Sequence, residues 1–83
     1  MTLTLRYFAW LRERVGERAE TVETGAATVA DLVAELTARE KRYAYAFADL
    51  SAVRVAVDQE LADLAAPLQG AREVAFFPPM TGG

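Results

Sequence analysis

The sequence predicts an α+β fold, a mixed five-stranded sheet with one main helix packed on one face. Three observations predict it. Residues 28–38 carry the strongest helical pattern in the chain. Two stretches, 1–7 and 53–57, alternate with the period of a strand. A third, 73–77, is apolar on both faces after Glu73 and is stopped by Pro78-Pro79. Strands and helices mixed in this order fit a sheet with its helices gathered on one side.

Met1 to Tyr7 sets Leu3, Leu5 and Tyr7 against Thr2, Thr4 and Arg6, the mark of a half-buried strand. From Phe8 the period changes. Phe8, Leu11 and Val15 fall on one face of a short helix, which Gly16 is suited to cap. Arg18 to Thr24 alternates again, more weakly, and Gly25 closes it. Thr28 is an N-cap with Asp31 three residues on, and Val29, Leu32, Val33 and Leu36 form the apolar stripe of the main helix. Polar residues 39–42 mark a break, and Tyr43 and Phe47 at i, i+4 support a second short helix to about Ala48. The Tyr43, Tyr45, Phe47 set reads as core plus one exposed ring. Val53, Val55 and Val57 point inward from a strand, and a shorter strand follows around Leu61. Pro67 and Gly70 punctuate a loop. Glu73 to Phe77 is apolar on both faces, as expected of a central strand covered on both sides, with Phe76 and Phe77 pointing opposite ways. The first and last strands are the most apolar and are placed side by side in the middle.

With 83 residues the chain is one domain's worth of protein. A body of that size does not easily hold both a deep substrate cavity and a catalytic apparatus. It has no cysteine and no histidine. Disulfides, thiolate metal sites and Cys nucleophiles are thereby excluded, and the usual general base is missing. A net charge of −3 argues against nucleic acid as the main partner. The balance is uneven. Residues 1–42 carry seven basic and seven acidic side chains, residues 43–83 two and five. That acidic half either steers the protein toward a basic partner or is ordinary solubilising charge. No membrane-length apolar run and no leader-like N-terminus appear, so a cytoplasmic, membrane-free location is expected. Asp58, Glu60 and Asp63 lie near a turn without tight metal-ligand spacing and read as solvated loop acids, so no metal site is expected.

The distinctive segment is Pro78-Pro79-Met80-Thr81-Gly82-Gly83. Two glycines at two given positions arise by chance in roughly one sequence in 200. Glycine threads slots too narrow for other residues, and paired prolines make a stiff spacer. The segment reads either as an ordinary disordered terminus or as a probe with a stiff base, a thin tip and a terminal carboxylate. The lack of any other reactive group favours the probe.

Nearly the whole chain resembles a known family. The resemblance is carried by Tyr7-Phe8-Ala9 with Leu11-Arg12-Glu13-Arg14-Val15-Gly16, by Val55-Ala56-Val57-Asp58-Gln59, by Pro67-Leu68 with Gly70, and above all by Glu73-Val74-Ala75-Phe76-Phe77-Pro78-Pro79-Met80-Thr81-Gly82-Gly83. These segments resemble the small, sulfur-carrying subunit of molybdopterin synthase, a ubiquitin-like β-grasp family. A bare Gly-Gly end is shared by all ubiquitin-like carriers; the Phe-Phe-Pro-Pro-x-x-Gly-Gly ending is more specific. Asp58 departs from the family, where Asn is usual, and reads as a surface-loop change.

The resemblance implies a β-grasp domain over residues 1–77, with central parallel first and last strands, and a flexible tail over 78–83. It implies a carrier with no catalytic side chains of its own. An E1-like partner adenylates the Gly83 carboxylate with ATP, and a sulfur donor of the cysteine desulfurase or rhodanese type converts it to a thiocarboxylate. The tail then enters the large subunit and gives its sulfur to cyclic pyranopterin monophosphate. No cofactor is held permanently. By the same resemblance Phe77, Leu61 and Arg12 are the expected large-subunit contacts. Read from the residues alone, Phe77 and Leu61 also suit packing under the helices, and Arg12 a solvated helix face. Alternatives within the class are a carrier for thiamine, tRNA thiolation or cysteine synthesis, or a protein modifier. Outside it stands a plain interaction module.

Overall fold

The computed structural model describes residues 1–79. Strand β1 (Thr2–Tyr7) leads into helix α1 (Ala9–Val15), strand β2 (Ala19–Glu23) and helix α2 (Val29–Arg39). Helix α3 (Lys41–Ala46), strands β3 (Arg54–Val57) and β4 (Glu60–Ala62), and strand β5 (Glu73–Phe77) complete the order. A 3-10 turn at Leu50–Ala52, which no sequence pattern marked, links α3 to β3.

The strands form one sheet in the order β2-β1-β5-β3-β4. β1 and β5 are central and parallel, and the other pairings are antiparallel. This is the β-grasp arrangement. Leu3, Leu5, Tyr7, Val55, Val74 and Phe76 face the helices and join Leu11, Val15, Val29, Leu32, Leu36 and Tyr43 in one core. Phe76 is its centre, stacked on Tyr7 with ring centroids 5.8 Å apart and edge-on to Phe47 at 4.9 Å.

The local signals explain the elements. Thr28 Oγ1 accepts the Asp31 N–H at 3.2 Å, so α2 starts where its cap stands. The break between α2 and α3 falls at Glu40, whose backbone is extended. Tyr43 and Phe47 are buried, and Tyr45 is exposed. Gly16 ends α1 in the left-handed region at φ 89°, its N–H reaching the Arg12 carbonyl at 2.8 Å.

Asp58 does more than occupy a surface loop. The β3–β4 hairpin turns on Asp58 and Gln59, both left-handed at φ 50° and 71°, the geometry of a two-residue type I′ turn. The Asp58 carboxylate accepts the backbone N–H groups of Arg72 and Glu73 at 2.9 and 3.0 Å. Those two bonds hold its pKa below the ordinary carboxyl value, that from Arg72 first. Asp58 thereby fixes the start of the strand that leads to the tail.

A second polar knot ties the layers together. Tyr7 and Tyr43 both donate to Glu20 Oε2, at 2.8 and 2.6 Å, and Arg42 donates to the Tyr43 hydroxyl at 2.9 Å. Burial, and then the bond to Glu20, pushes the Tyr43 phenol up to about 12.

Candidate functional site

Residues paired directly across a sheet share a face. The register therefore assembles the side of the sheet turned away from the helices. Arg6 lies beside Ala75, Ala75 beside Ala56, and Ala56 beside Leu61, one row across four strands. In the next row Phe77 stands opposite Arg54. No described element covers this face. β5 is thus central but shielded on one side only, which corrects the expectation of cover on both. Two of its three outward residues are apolar all the same: Ala75 is buried among its neighbours and Phe77 is half-buried, while Glu73 begins the strand.

The structure places the expected contact residues as follows. Leu61 is 77% exposed, so it does not pack under the helices. Phe77 does not either, since Phe76 takes the inward position on β5. Two strand spacings and two residues of rise put Leu61 and Phe77 roughly 12 Å apart, with the alanines as a floor between them. Arg12 is exposed on α1, and its backbone N–H reaches the Phe8 carbonyl at 3.4 Å. Pro78 and Pro79 follow β5 and are half-exposed. Met80, Thr81, Gly82 and Gly83 lie outside the described residues.

Phe8 is the residue that helical periodicity misplaced. Expected on the buried face of α1, it is 46% exposed. It precedes the helix as an extended N-cap at φ −123°, and its N–H bonds the Phe76 carbonyl at 3.1 Å. Strand alternation was the better guide: Leu3, Leu5 and Tyr7 point inward, so the next residue points out. Ala9 then turns the chain in the left-handed region at φ 53°, which costs an L-residue about 1–2 kcal/mol. Such strain is characteristic of sites held in shape by their surroundings. Phe8 and Phe77 thus stand where β1 and β5 end together, Arg12 lines a groove with Phe8, and Leu61 lies with Phe77 on the open face.

The electrostatics at this end are basic. Arg6 Nε donates to Glu73 Oε1 at 2.8 Å on the open face, and Arg54 donates to the Ser51 carbonyl at 3.1 Å. Among the described residues no group of acids is placed to hold a metal ion. No helix among them is long and apolar enough to cross a membrane.

A mixed sheet with parallel β1 and β5 at its centre, helices on one face and a last strand leading into Pro-Pro and Gly-Gly defines a ubiquitin-like β-grasp protein with a carrier-type terminus. The chain belongs to the ThiS family, whose profile matches residues 5–83. It is 42% identical over 77 residues to the molybdopterin synthase sulfur carrier subunit of Escherichia coli (strain K12), covering 93% of this chain and 94% of that one. Among solved structures it resembles SAMP1, small archaeal modifier protein 1, of Haloferax volcanii, with a TM-score of 0.77 and 28% identity over the whole of both chains. It also resembles a chain in the complex of subunits 1 and 2 of molybdopterin-converting factor from Helicobacter pylori 26695, with a TM-score of 0.64, 25% identity and full coverage of both.

Proposed function

We propose that this chain is the sulfur carrier subunit of a molybdopterin synthase and that Gly83 is its working residue. The observation that carries the reading is the central strand β5, which leads out of the sheet at Phe77 into Pro78-Pro79 and the Gly82-Gly83 end, in a chain 42% identical to a named sulfur carrier subunit.

The chemistry follows from what a carboxylate lacks. It is a poor electrophile. An E1-like partner would join the Gly83 carboxylate to the α-phosphate of ATP, with pyrophosphate leaving, and so give it a good leaving group. The persulfide of a sulfur donor of the cysteine desulfurase or rhodanese type would then attack the acyl carbon and displace AMP, and a second thiol would cleave the resulting acyl disulfide, leaving a thiocarboxylate on Gly83 and a disulfide on the donor side. Pro78 and Pro79 would serve as a stiff base, and Met80, Thr81, Gly82 and Gly83 as a thin arm that enters the large subunit. The side chains that act on cyclic pyranopterin monophosphate would belong to that subunit, since this chain offers neither Cys nor His. Phe77, Leu61 and Arg12, joined by Phe8, would form the docking surface, and the apolar open face supports that assignment.

The test is the mass of the C-terminal peptide after incubation with an E1-like enzyme, ATP and a sulfur donor. A gain of about 16 Da is expected, one oxygen replaced by sulfur. A chain lacking Gly82-Gly83 should stay unmodified. No gain, or a gain that survives the deletion, refutes the reading. The name of the Haloferax relative favours a second reading, a protein modifier. Isopeptide-linked conjugates of higher mass in the same reaction would support it.

A further inference from the structure

Nine side chains of the sequence are basic, and eight of them are arginine. Lys41 is the ninth and the one side-chain amine. The difference matters beside an activated acyl group. A guanidinium stays protonated and does not attack it, whereas a lysine amine attacks once it sheds its proton. The α-amine of Met1 is already engaged, donating to the Thr24 carbonyl at 2.8 Å.

Lys41 stands apart from the cations around it. Arg39 donates to the Glu23 carbonyl and to Glu35 Oε2, both at 3.0 Å. Arg42 donates to the Val15 carbonyl at 3.1 Å and to the Tyr43 hydroxyl at 2.9 Å. Both arginines thus tie the helices to the strands and turns beside them. Lys41 is exposed as the first residue of α3, after the extended Glu40. Among the described residues its amine is in no ion pair. α3 belongs to the helix layer, through Tyr43 and Ala46 in the core. Lys41 therefore lies across the sheet from the open face that carries Phe77 and Leu61.

We propose that Lys41 is the acceptor for the Gly83 acyl group of a second copy of this chain. The proposal rests on the carrier reading, because only an activated Gly83 reacts with an amine. The neutral Lys41 Nζ attacks the acyl carbon of the Gly83 adenylate. A C–N bond forms and the bond from that carbon to the phosphate oxygen breaks. AMP leaves with the electron pair, and the nitrogen gives one proton to water. The product is an isopeptide between two copies. A second copy supplies the acyl group because β5 hands the chain to the stiff Pro78-Pro79 step at the end of the sheet, whereas Lys41 is on the helix layer. A copy held through its open face still presents Lys41.

The test is incubation of the full chain with the E1-like enzyme from the same source and ATP, with no sulfur donor, followed by mass spectrometry. A species of two chains less one water is expected. Trypsin cuts after arginine, so residues 73–83 should remain on Glu40-Lys41-Arg42 as one branched peptide. Lys41→Arg keeps the charge and removes the nucleophile. K41R should give no conjugate, yet gain sulfur as fully as the parent when the donor is added, which shows that it folds and is activated. Conjugation undiminished in K41R, or linked to the Met1 amine, overturns the proposal. So does a single chain one water lighter, the product of closure on its own tail. A parent that gains sulfur but forms no conjugate overturns the proposal and leaves the carrier reading standing. A parent that does neither overturns both.

Discussion

Phe76 and Phe77 are neighbours in sequence with opposite fates, and truncating each separates folding from binding. Phe76 is fully buried, stacked on Tyr7 and edge-on to Phe47. Phe76→Ala removes a ring from close-packed surroundings and should cost about 4 kcal/mol, within the usual range for such deletions. A chain of this length has a total stability of roughly 4–12 kcal/mol, so the variant loses a third of it or more. At about 4–8 °C per kcal/mol, its thermal midpoint should fall by roughly 16–32 °C. Phe77 faces the uncovered side, and its removal leaves no internal cavity. Phe77→Ala should cost about 1 kcal/mol at most. Against the large subunit the order reverses. An aromatic anchor at the centre of an interface is worth about 2 kcal/mol or more, which is about 30-fold in Kd. Urea and thermal melts, paired with calorimetric titration of the large subunit, measure both quantities. The reasoning is refuted if F77A destabilises the fold as much as F76A, because Phe77 would then be core. It is equally refuted if F77A binds within twofold of the parent, because the open face would then not be the interface.

Two pH predictions follow from the hydrogen-bonded acids. The Asp58 carboxyl is held below its unfolded value by the Arg72 and Glu73 N–H groups. Its contribution to stability is therefore present above about pH 4 and lost as pH falls through the lower folded value. Asp58→Asn keeps an acceptor oxygen but not the titration, so the parent's advantage in urea midpoint should shrink below pH 4; a constant difference from pH 7 to pH 2.5 refutes it. Tyr43 shows the opposite sign. Its phenol is pushed up to about 12, so its contribution is complete below about pH 10 and fades as pH rises through the folded value. Tyr43→Phe also removes the 2.6 Å bond to Glu20, costing about 1–2 kcal/mol at neutral pH. The alkaline fall in its urea midpoint should be shallower than the parent's, and an identical fall refutes the assignment.

What could be read from the sequence was what is local. Leu3, Leu5 and Tyr7 announce β1 by alternation, and Thr28 with Asp31 announces the start of α2, because cap and stripe lie within a few residues of each other. The central position of β5 followed from its apolar character. Its one-sided cover did not, because a face hidden by helices and a face kept apolar for another protein leave the same residues in the sequence. Ala75 and Phe77 are of the second kind. Phe8 was misplaced because it sits where strand period gives way to helix period, and the strand still governed it. Contacts between distant segments carry no local mark. The Asp58 carboxylate reaches N–H groups 14 and 15 residues away, Glu20 collects hydroxyls from Tyr7 and Tyr43, and Arg12 and Arg18 line one groove only because Gly16 turns the chain back.

The acidic balance of the second half suited either a basic partner or ordinary solubilising charge, and the placement of the charges changes that. Electrostatic influence decays over about 8–10 Å at physiological ionic strength. The molecule is 35 Å along its longest axis. A partner closing on the end of β5 therefore responds to the charges around it rather than to the sum over the chain. Those charges are Arg12 and Arg18 against Glu17 beside the end of β1, Arg6 held by Glu73, and Arg54 beside Phe77, positive on balance. An acidic rim on the partner would thus be attracted at the end where the tail departs and repelled elsewhere on the negative body. Net charge and local charge of opposite sign give orientation as well as attraction, and orientation matters most to a protein proposed to work through one end.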